Sequence, residues 1–216
     1  NCKAENIAFA NSNTDAYAKV LSSIPFKSGD CIITTDDDYI SNQIAFISLK
    51  KRLNVEVYRT KNLTNHEIDL EDLESLIKKH QPKLVAVTHI PTNSGLIQDV
   101  EAVGRLCKAH HILYLVDACQ SVGQLVVDVQ KIGCDFLTAT GRKFLRGPRG
   151  TGFLYISDNA LAQNLTPLFI DMKGANWTSS EDYQPIHTAK AFEFFEQSYA
   201  SMIGFTEAIR YANEIG

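Results

Sequence analysis

Two uninterrupted apolar runs, Leu84-Val85-Ala86-Val87 and Ile112-Leu113-Tyr114-Leu115-Val116, each preceded by a segment of helical period, constrain this chain most. A strand that is apolar at every position has to be covered on both faces, which is the situation of a parallel sheet flanked by helices. The same rhythm recurs along the chain. Cys31-Ile32-Ile33-Thr34 and Val55-Glu56-Val57-Tyr58 read as strands, with a helix-period segment from Ile40 to Leu53 between them. A helix opening at Asp69 carries acidic residues in its first turn and runs to about His80, where Pro82 stops it. Asp99 to His110 is again helical in period. Phe136-Leu137 and Phe153-Leu154-Tyr155-Ile156 read as two further strands joined by a glycine-rich turn. The expected class is α/β, a three-layer α/β/α architecture with a largely parallel sheet whose ligand site lies at the carboxyl ends of the strands. Beyond Ile156 the rhythm breaks: Pro167, Gly174 and Pro185 punctuate the chain, and Trp177-Thr178-Ser179-Ser180 reads as loop. A last helix is expected from about Ser198 to Ile215, packing through Ile203, Ala208, Ile209 and Ala212.

Size and composition narrow the partners. The 216 residues, 44% hydrophobic and 21% charged, suffice for one large domain or two small ones with a sizeable core. A net charge of −4 argues against a dedicated nucleic-acid surface or a polybasic membrane surface. No apolar run is long enough for a membrane span. Five cysteines, an odd number at wide spacing without a CxxC pair, fit a reducing cytoplasm and structural roles rather than a disulfide framework. The chain starts Asn1-Cys2-Lys3 and stops at Gly216 directly after a helical pattern, so a fragment of a longer polypeptide is expected.

The chemistry concentrates between Asp117 and Lys143. Asp117 ends an apolar strand, at the rim where ligands sit, and Lys143 lies in Thr140-Gly141-Arg142-Lys143, just past the next strand. An aspartate and a lysine at neighbouring strand ends can face opposite edges of one flat ligand, the arrangement that pyridoxal phosphate needs. Its aldehyde takes a lysine amine as a Schiff base, and its ring nitrogen takes a carboxylate. Gln120 is placed to donate to the 3′ oxygen, and Arg142 with the Thr140 hydroxyl suits the phosphate.

These residues stand in motifs that resemble a known family. Val116-Asp117-Ala118-Cys119-Gln120-Ser121-Val122-Gly123, then Gly133-Cys134-Asp135-Phe136, Gly141-Arg142-Lys143 and Gly147-Pro148-Arg149-Gly150-Thr151-Gly152 resemble the class V aminotransferases. These are fold-type-I pyridoxal phosphate enzymes that include cysteine desulfurases and selenocysteine lyases. The resemblance covers nearly the whole chain. It implies that Lys143 is the Schiff-base lysine and that Asp117 pairs with the pyridine nitrogen. It places Asn13 and Thr14 in a phosphate-binding turn at a helix N-terminus, Tyr39 where the family has a ring stacked on the cofactor, and Asn93 near the 3′ oxygen. Three positions depart from common patterns. Tyr39 stands where many desulfurases have His, and cannot serve as a proton carrier near neutral pH. Thr92 holds the place of the usual Asn, one before Asn93. Arg142 replaces a phosphate-binding His. With Phe144-Leu145-Arg146, these variations are similar to the branch near isopenicillin epimerase and ergothioneine-pathway C–S lyases.

By resemblance, the chain is the pyridoxal phosphate-binding large domain over residues 1–216, with about 190–216 as the connecting helix toward a small domain. It also implies a homodimer and an amino-acid substrate, with transamination, epimerisation and C–S or C–Se cleavage all open. The nucleophilic cysteine of a desulfurase and the arginine for the substrate carboxylate are expected outside this chain; none of the five cysteines matches. Competing readings are a non-catalytic fragment or scaffold that retains the fold, and a generic nucleotide binder. The latter fails because the Gly147–Gly152 run precedes a strand rather than opening a helix. No metal site is expected: Asp36-Asp37-Asp38 reads as a solvated acidic turn, and His110-His111 as a favourable charge after a helix.

Overall fold

The computed structural model describes residues 1–215. Its centre is a sheet of seven strands: β1 (Ile7–Ala10), β2 (Cys31–Thr35), β3 (Glu56–Thr60), β4 (Leu84–Thr88), β5 (Leu113–Asp117), β6 (Phe136–Thr140) and β7 (Gly152–Ile156). Their order across the sheet is β1-β7-β6-β5-β4-β2-β3. β7 runs antiparallel to both of its neighbours, while the other pairs are parallel. Because β1 and β6 both oppose β7, they run in the same direction. The carboxyl ends of β1, β2, β3, β4, β5 and β6 therefore share one edge of the sheet.

The uninterrupted apolar runs are explained by two cores, one on each face. Ile32, Leu84, Ala86, Leu115 and Phe136 pack into one cluster with Val20 and Phe46. Their sequence neighbours Ile33, Val85, Val87, Tyr114, Val116 and Leu137 point the other way, into a cluster with Leu73, Ile77 and Val103. The first cluster is covered by helices α1 (Asn13–Ser23) and α2 (Ile40–Leu53), the second by α3 (Leu70–His80) and α4 (Val100–Ala109). Side-chain caps start the helices. Ser12 accepts from the Asp15 amide, Asp69 from those of Glu71 and Asp72, and Asp99 from that of Ala102. Asn54 and Gln81 end α2 and α3 in the left-handed conformation, and Pro82 follows at once. His110 caps the end of α4 and lies 3.6 Å from Glu74.

The expected strands and helices recur within one or two residues, except that the strand read at Phe136-Leu137 runs on to Thr140. The differences lie where the apolar signal is weak. β1 is built from Ile-Ala-Phe-Ala and gains its place by pairing with β7. Short helices α5 (Val129–Ile132) and α6 (Asp158–Ala162) flank β6 and β7. The segment read as loop around Trp177 is instead a hairpin, β8 (Ala175–Ser179) with β9 (Asp182–Pro185). It lies in solvent, with Trp177 81% exposed, so neither face imposed an apolar alternation. The last helix, α7 (Tyr199–Ile215), is present, but its packing residue differs from expectation. Ile203 is 66% exposed and Ile209 is exposed, whereas Phe205 is buried, because the helix meets the body of the protein along one narrow line.

The contact of α4 with α5 is close enough to require glycine. A Cβ on Gly104 would lie 1.8 Å from the Ile132 carbonyl oxygen. Alanine gains about 1 kcal/mol over glycine inside a helix, whereas overpacking costs about 1–3 kcal/mol. A collision with backbone belongs at the upper end of that range. Gly104→Ala is expected to lower stability overall, read as a lower urea midpoint with an unchanged slope; an equal or higher midpoint would contradict this packing.

Candidate active site

A cleft of about 130 Å³ opens at the shared carboxyl edge of the strands. Asp117 is the last residue of β5, and only 2% of it is exposed. Three donors hold its carboxylate. The side-chain amides of Asn13 and Asn42 each donate to Oδ2 at 2.9 Å, and the backbone N–H of Cys119 donates to Oδ1 at 3.0 Å. Burial pushes the Asp117 carboxyl above its ordinary range, and the hydrogen bonds from Asn42 and Cys119 work against that shift. A carboxylate offers about four acceptor positions. These three donors and the neighbouring Cys119 thiol occupy most of them, and the edge of Asp117 that lines the cleft is left for a proton-bearing group there.

Lys143 lines the same cleft, in the turn between β6 and β7. Its ammonium has no ion-pair partner among the described residues. The turn that carries it is tightly closed. Gly147 N–H donates to the Gly141 carbonyl at 2.8 Å, and the Gly141 N–H to that of Thr151 at 2.8 Å. Phe205 of α7 lies on both glycines; a Cβ on either would come within 2.7–2.9 Å of its ring.

The other expected residues divide. Asn13, Thr14, Tyr39, Gln120, Thr140 and Arg142 line the cleft together with Asp117 and Lys143. Asn13 and Thr14 begin α1, but the Asn13 side chain is turned onto Asp117. Only its backbone N–H is left for an anion, and its Oδ1 is buried without a partner. The Thr140 hydroxyl donates to the Thr151 carbonyl at 3.2 Å, so its hydrogen is committed and it reaches the cleft only as an acceptor. Gln120 donates to the Thr92 hydroxyl at 2.7 Å. Asn93 is the residue that the fold does not bring in. It is exposed and does not line the cleft, whereas its neighbour Thr92 does. Cys119 also lines the cleft. Burial and the neighbouring Asp117 push its thiol far up, which keeps it protonated and a poor nucleophile. The five cysteines are all unpaired.

Three functional residues escaped the sequence. Asp38 is buried rather than solvated, which corrects the reading of the acidic turn; only Asp36 of the three is exposed. It accepts from the Thr88 hydroxyl, the Tyr39 N–H (2.6 Å) and the Gln43 amide (3.1 Å). It also accepts from the Asn42 amide at 3.1 Å. Asn42 therefore joins Asp38 to Asp117. The available signal was the four-residue spacing of Asp38 and Asn42 across the start of α2, and Thr88 as the one polar end of an apolar strand. Among the described residues, no group of three or more His, Cys, Asp or Glu could hold a metal ion, and no helix is long and apolar enough to cross a membrane.

The seven-stranded sheet with a cleft at its carboxyl edge is an α/β ligand-binding domain. The family described as Aminotransferase class-V matches residues 1–216, and the chain belongs to that family. A protein of Methanothermobacter thermautotrophicus named "Probable cysteine desulfurase" is 33% identical over 216 residues, all of this chain and 53% of the relative. A cysteine desulfurase of Yersinia pseudotuberculosis is 32% identical over 219 residues, 99% of this chain and 53% of the relative. Among solved structures, the apo cysteine desulfurase of Thermococcus onnurineus NA1 superposes with a TM-score of 0.90 at 31% identity, over 100% of this chain and 54% of that one. A cystine C–S lyase in complex with cysteine persulfide shares the fold, with a TM-score of 0.88 at 21% identity over 98% of this chain and 57% of its own. The chain spans about half the length of these relatives.

Asp117 gives the ligand-free chain a pH signature. Its folded carboxyl titrates above the unfolded one, so the folded state binds the proton more tightly, and stability falls as pH rises from the unfolded value through the folded value. Replacing the ionisable group removes this slope. The difference in unfolding free energy between the parent and Asp117→Asn is expected to change with pH across that window and to be flat above it. A difference that is flat throughout would refute the burial assignment.

Proposed function

We propose that this chain is the pyridoxal phosphate-binding domain of an enzyme acting on a sulfur-containing amino acid, with cysteine the favoured substrate and C–S cleavage the favoured reaction. The observation that carries this reading is the presence, in one cleft, of a buried, donor-held Asp117 and a Lys143 that has no counter-ion among the described residues. The residues fit the cofactor: the edge of Asp117 that lines the cleft suits a protonated ring nitrogen, and the Lys143 amine suits the carbonyl.

Bound pyridoxal phosphate supplies an electrophilic carbonyl and an electron-accepting ring. Asp117 would hold a proton-bearing ring nitrogen. Lys143 would provide the amine for the carbonyl and a base for a proton at the substrate α-carbon. The ring of Tyr39, at the start of α2 and lining the cleft, would lie against the cofactor. The first amides of α1, the Thr14 hydroxyl and Arg142 would hold the phosphate. Gln120, braced by Thr92, would serve the 3′ oxygen. Residues 1–216 form the large domain, with about 190–216 leading toward a small domain. The half coverage of the relatives supports this, as the names of relatives above 30% identity support cysteine. Self-association as a homodimer is supported by the exposed apolar row Tyr39, Ile40, Ile44 and Ile47 beside the cleft. A cytoplasmic setting is supported by the five unpaired cysteines.

The test is spectroscopic. Adding pyridoxal phosphate to the chain is expected to give a visible band near roughly 410–430 nm that is lost in Lys143→Ala. A parent chain without the band, or a band that survives the substitution, would refute the assignment. With the band established, cysteine, selenocysteine and other amino acids can be compared by the sulfide, selenide, keto acid or inverted substrate that they yield.

A further inference from the structure

The buried link between the two carboxylates carries an inference that rests on the reading above. Asn42 is 1% exposed, and its single amide nitrogen donates to Asp38 Oδ1 at 3.1 Å and to Asp117 Oδ2 at 2.9 Å. Both amide hydrogens are thereby used, one for each carboxylate. Turning the amide over would set its oxygen against two carboxylate oxygens, so Asp38 leaves Asn42 one orientation, with its hydrogens toward Asp117. Asp38 is itself immobilised by the Thr88 hydroxyl, the Tyr39 N–H and the Gln43 amide. The same network thus reaches the start of α2, where Tyr39 enters the cleft.

We propose that Asn42 is a positioning residue of this site: oriented by Asp38, it fixes the Asp117 carboxylate so that the edge lining the cleft is presented to the ring nitrogen of the cofactor. Asn13 alone does not do this. Its free Oδ1 sits in a buried spot without a partner, and no second acceptor dictates which way its amide faces. The inference concerns the residues of this chain and is testable without cofactor.

The groups around Asp117 that bear on its titration are Asp38 and Tyr17, the Cys119 thiol, and Lys143 beyond that thiol. Tyr17 stays protonated because burial pushes its phenol far up. Asp38 is thus the charge that bears on Asp117 most directly.

The experiment is a ¹³C NMR titration of the Asp117 carboxyl in the ligand-free chain, with Asp117→Asn used to assign the signal. Asn42→Leu keeps the branched outline of the side chain, at a larger volume, and removes the donor. It is expected to raise the proton affinity of Asp117 about tenfold, the size of one hydrogen bond to a charged group. Asn42→Ser has one hydroxyl hydrogen for two carboxylates and is expected to shift the midpoint in the same direction by less. It serves where the leucine variant does not fold. In the presence of pyridoxal phosphate, the visible band is expected to persist in both variants, because Lys143 is intact, with its pH dependence displaced. Midpoints within about twofold of the parent in the folded variants would overturn the role of Asn42. A parent chain that gives no band would instead overturn the cofactor reading, and with it the purpose assigned to Asn42, even where the titration shifts as expected.

Discussion

The site depends on one electrostatic demand: a carboxylate at the end of a central strand, out of reach of water, has to be given hydrogen bonds or be neutralised. Asp117 meets it with donors from three separate segments, the start of α1, the first turn of α2 and the loop after β5. Each of those segments also delivers a group to the cleft. Satisfying the buried charge therefore assembles the pocket. Thr14 comes with Asn13, Tyr39 with Asn42, and Gln120 with Cys119.

The sheet makes this convergence possible. Parallel strands covered on both faces bring the ends of β2, β4, β5 and β6 to one edge, and the single reversed strand β7 lets β1 join them there. Lysine and aspartate sit on neighbouring strand ends without any long-range device beyond register. The rigidity of the Lys143 turn comes from outside the sheet, through the Phe205 ring seated on Gly141 and Gly147. Phe205 is the one buried side chain of α7, and Gly204 beside it lies against Pro148 of the same turn.

What could be read beforehand followed the strength of the apolar signal. Leu84–Val87 and Ile112–Val116 reported burial on two faces, so the sheet and its helices were legible, as were Asp117 and Lys143 at its edge. The β8–β9 hairpin was not, because solvent on both sides leaves no periodicity to find. Phe205 was not, since a helix with a single buried side chain has no apolar stripe. Asp38 and Asn42 were hidden for a different reason. Polar residues near a turn look solvated unless the partner that buries them is known, and here that partner lies 75 residues away in sequence. Asn93 and Thr92 differ by one position in a turn, and a turn sets side-chain direction by torsions that residue type does not encode.

The reversed strand has one consequence for the order of assembly. β1 pairs in the sheet with β7 alone, through contacts from Ile7 to Tyr155 and from Ala10 to Gly152. During synthesis the first strand has no place to dock until the segment that ends at Ile156 has left the ribosome, and α1, which follows it directly, waits with it. Long-range pairing of this kind is slow to form. The wall of the cleft that follows β1 thus depends on a strand made more than a hundred residues later.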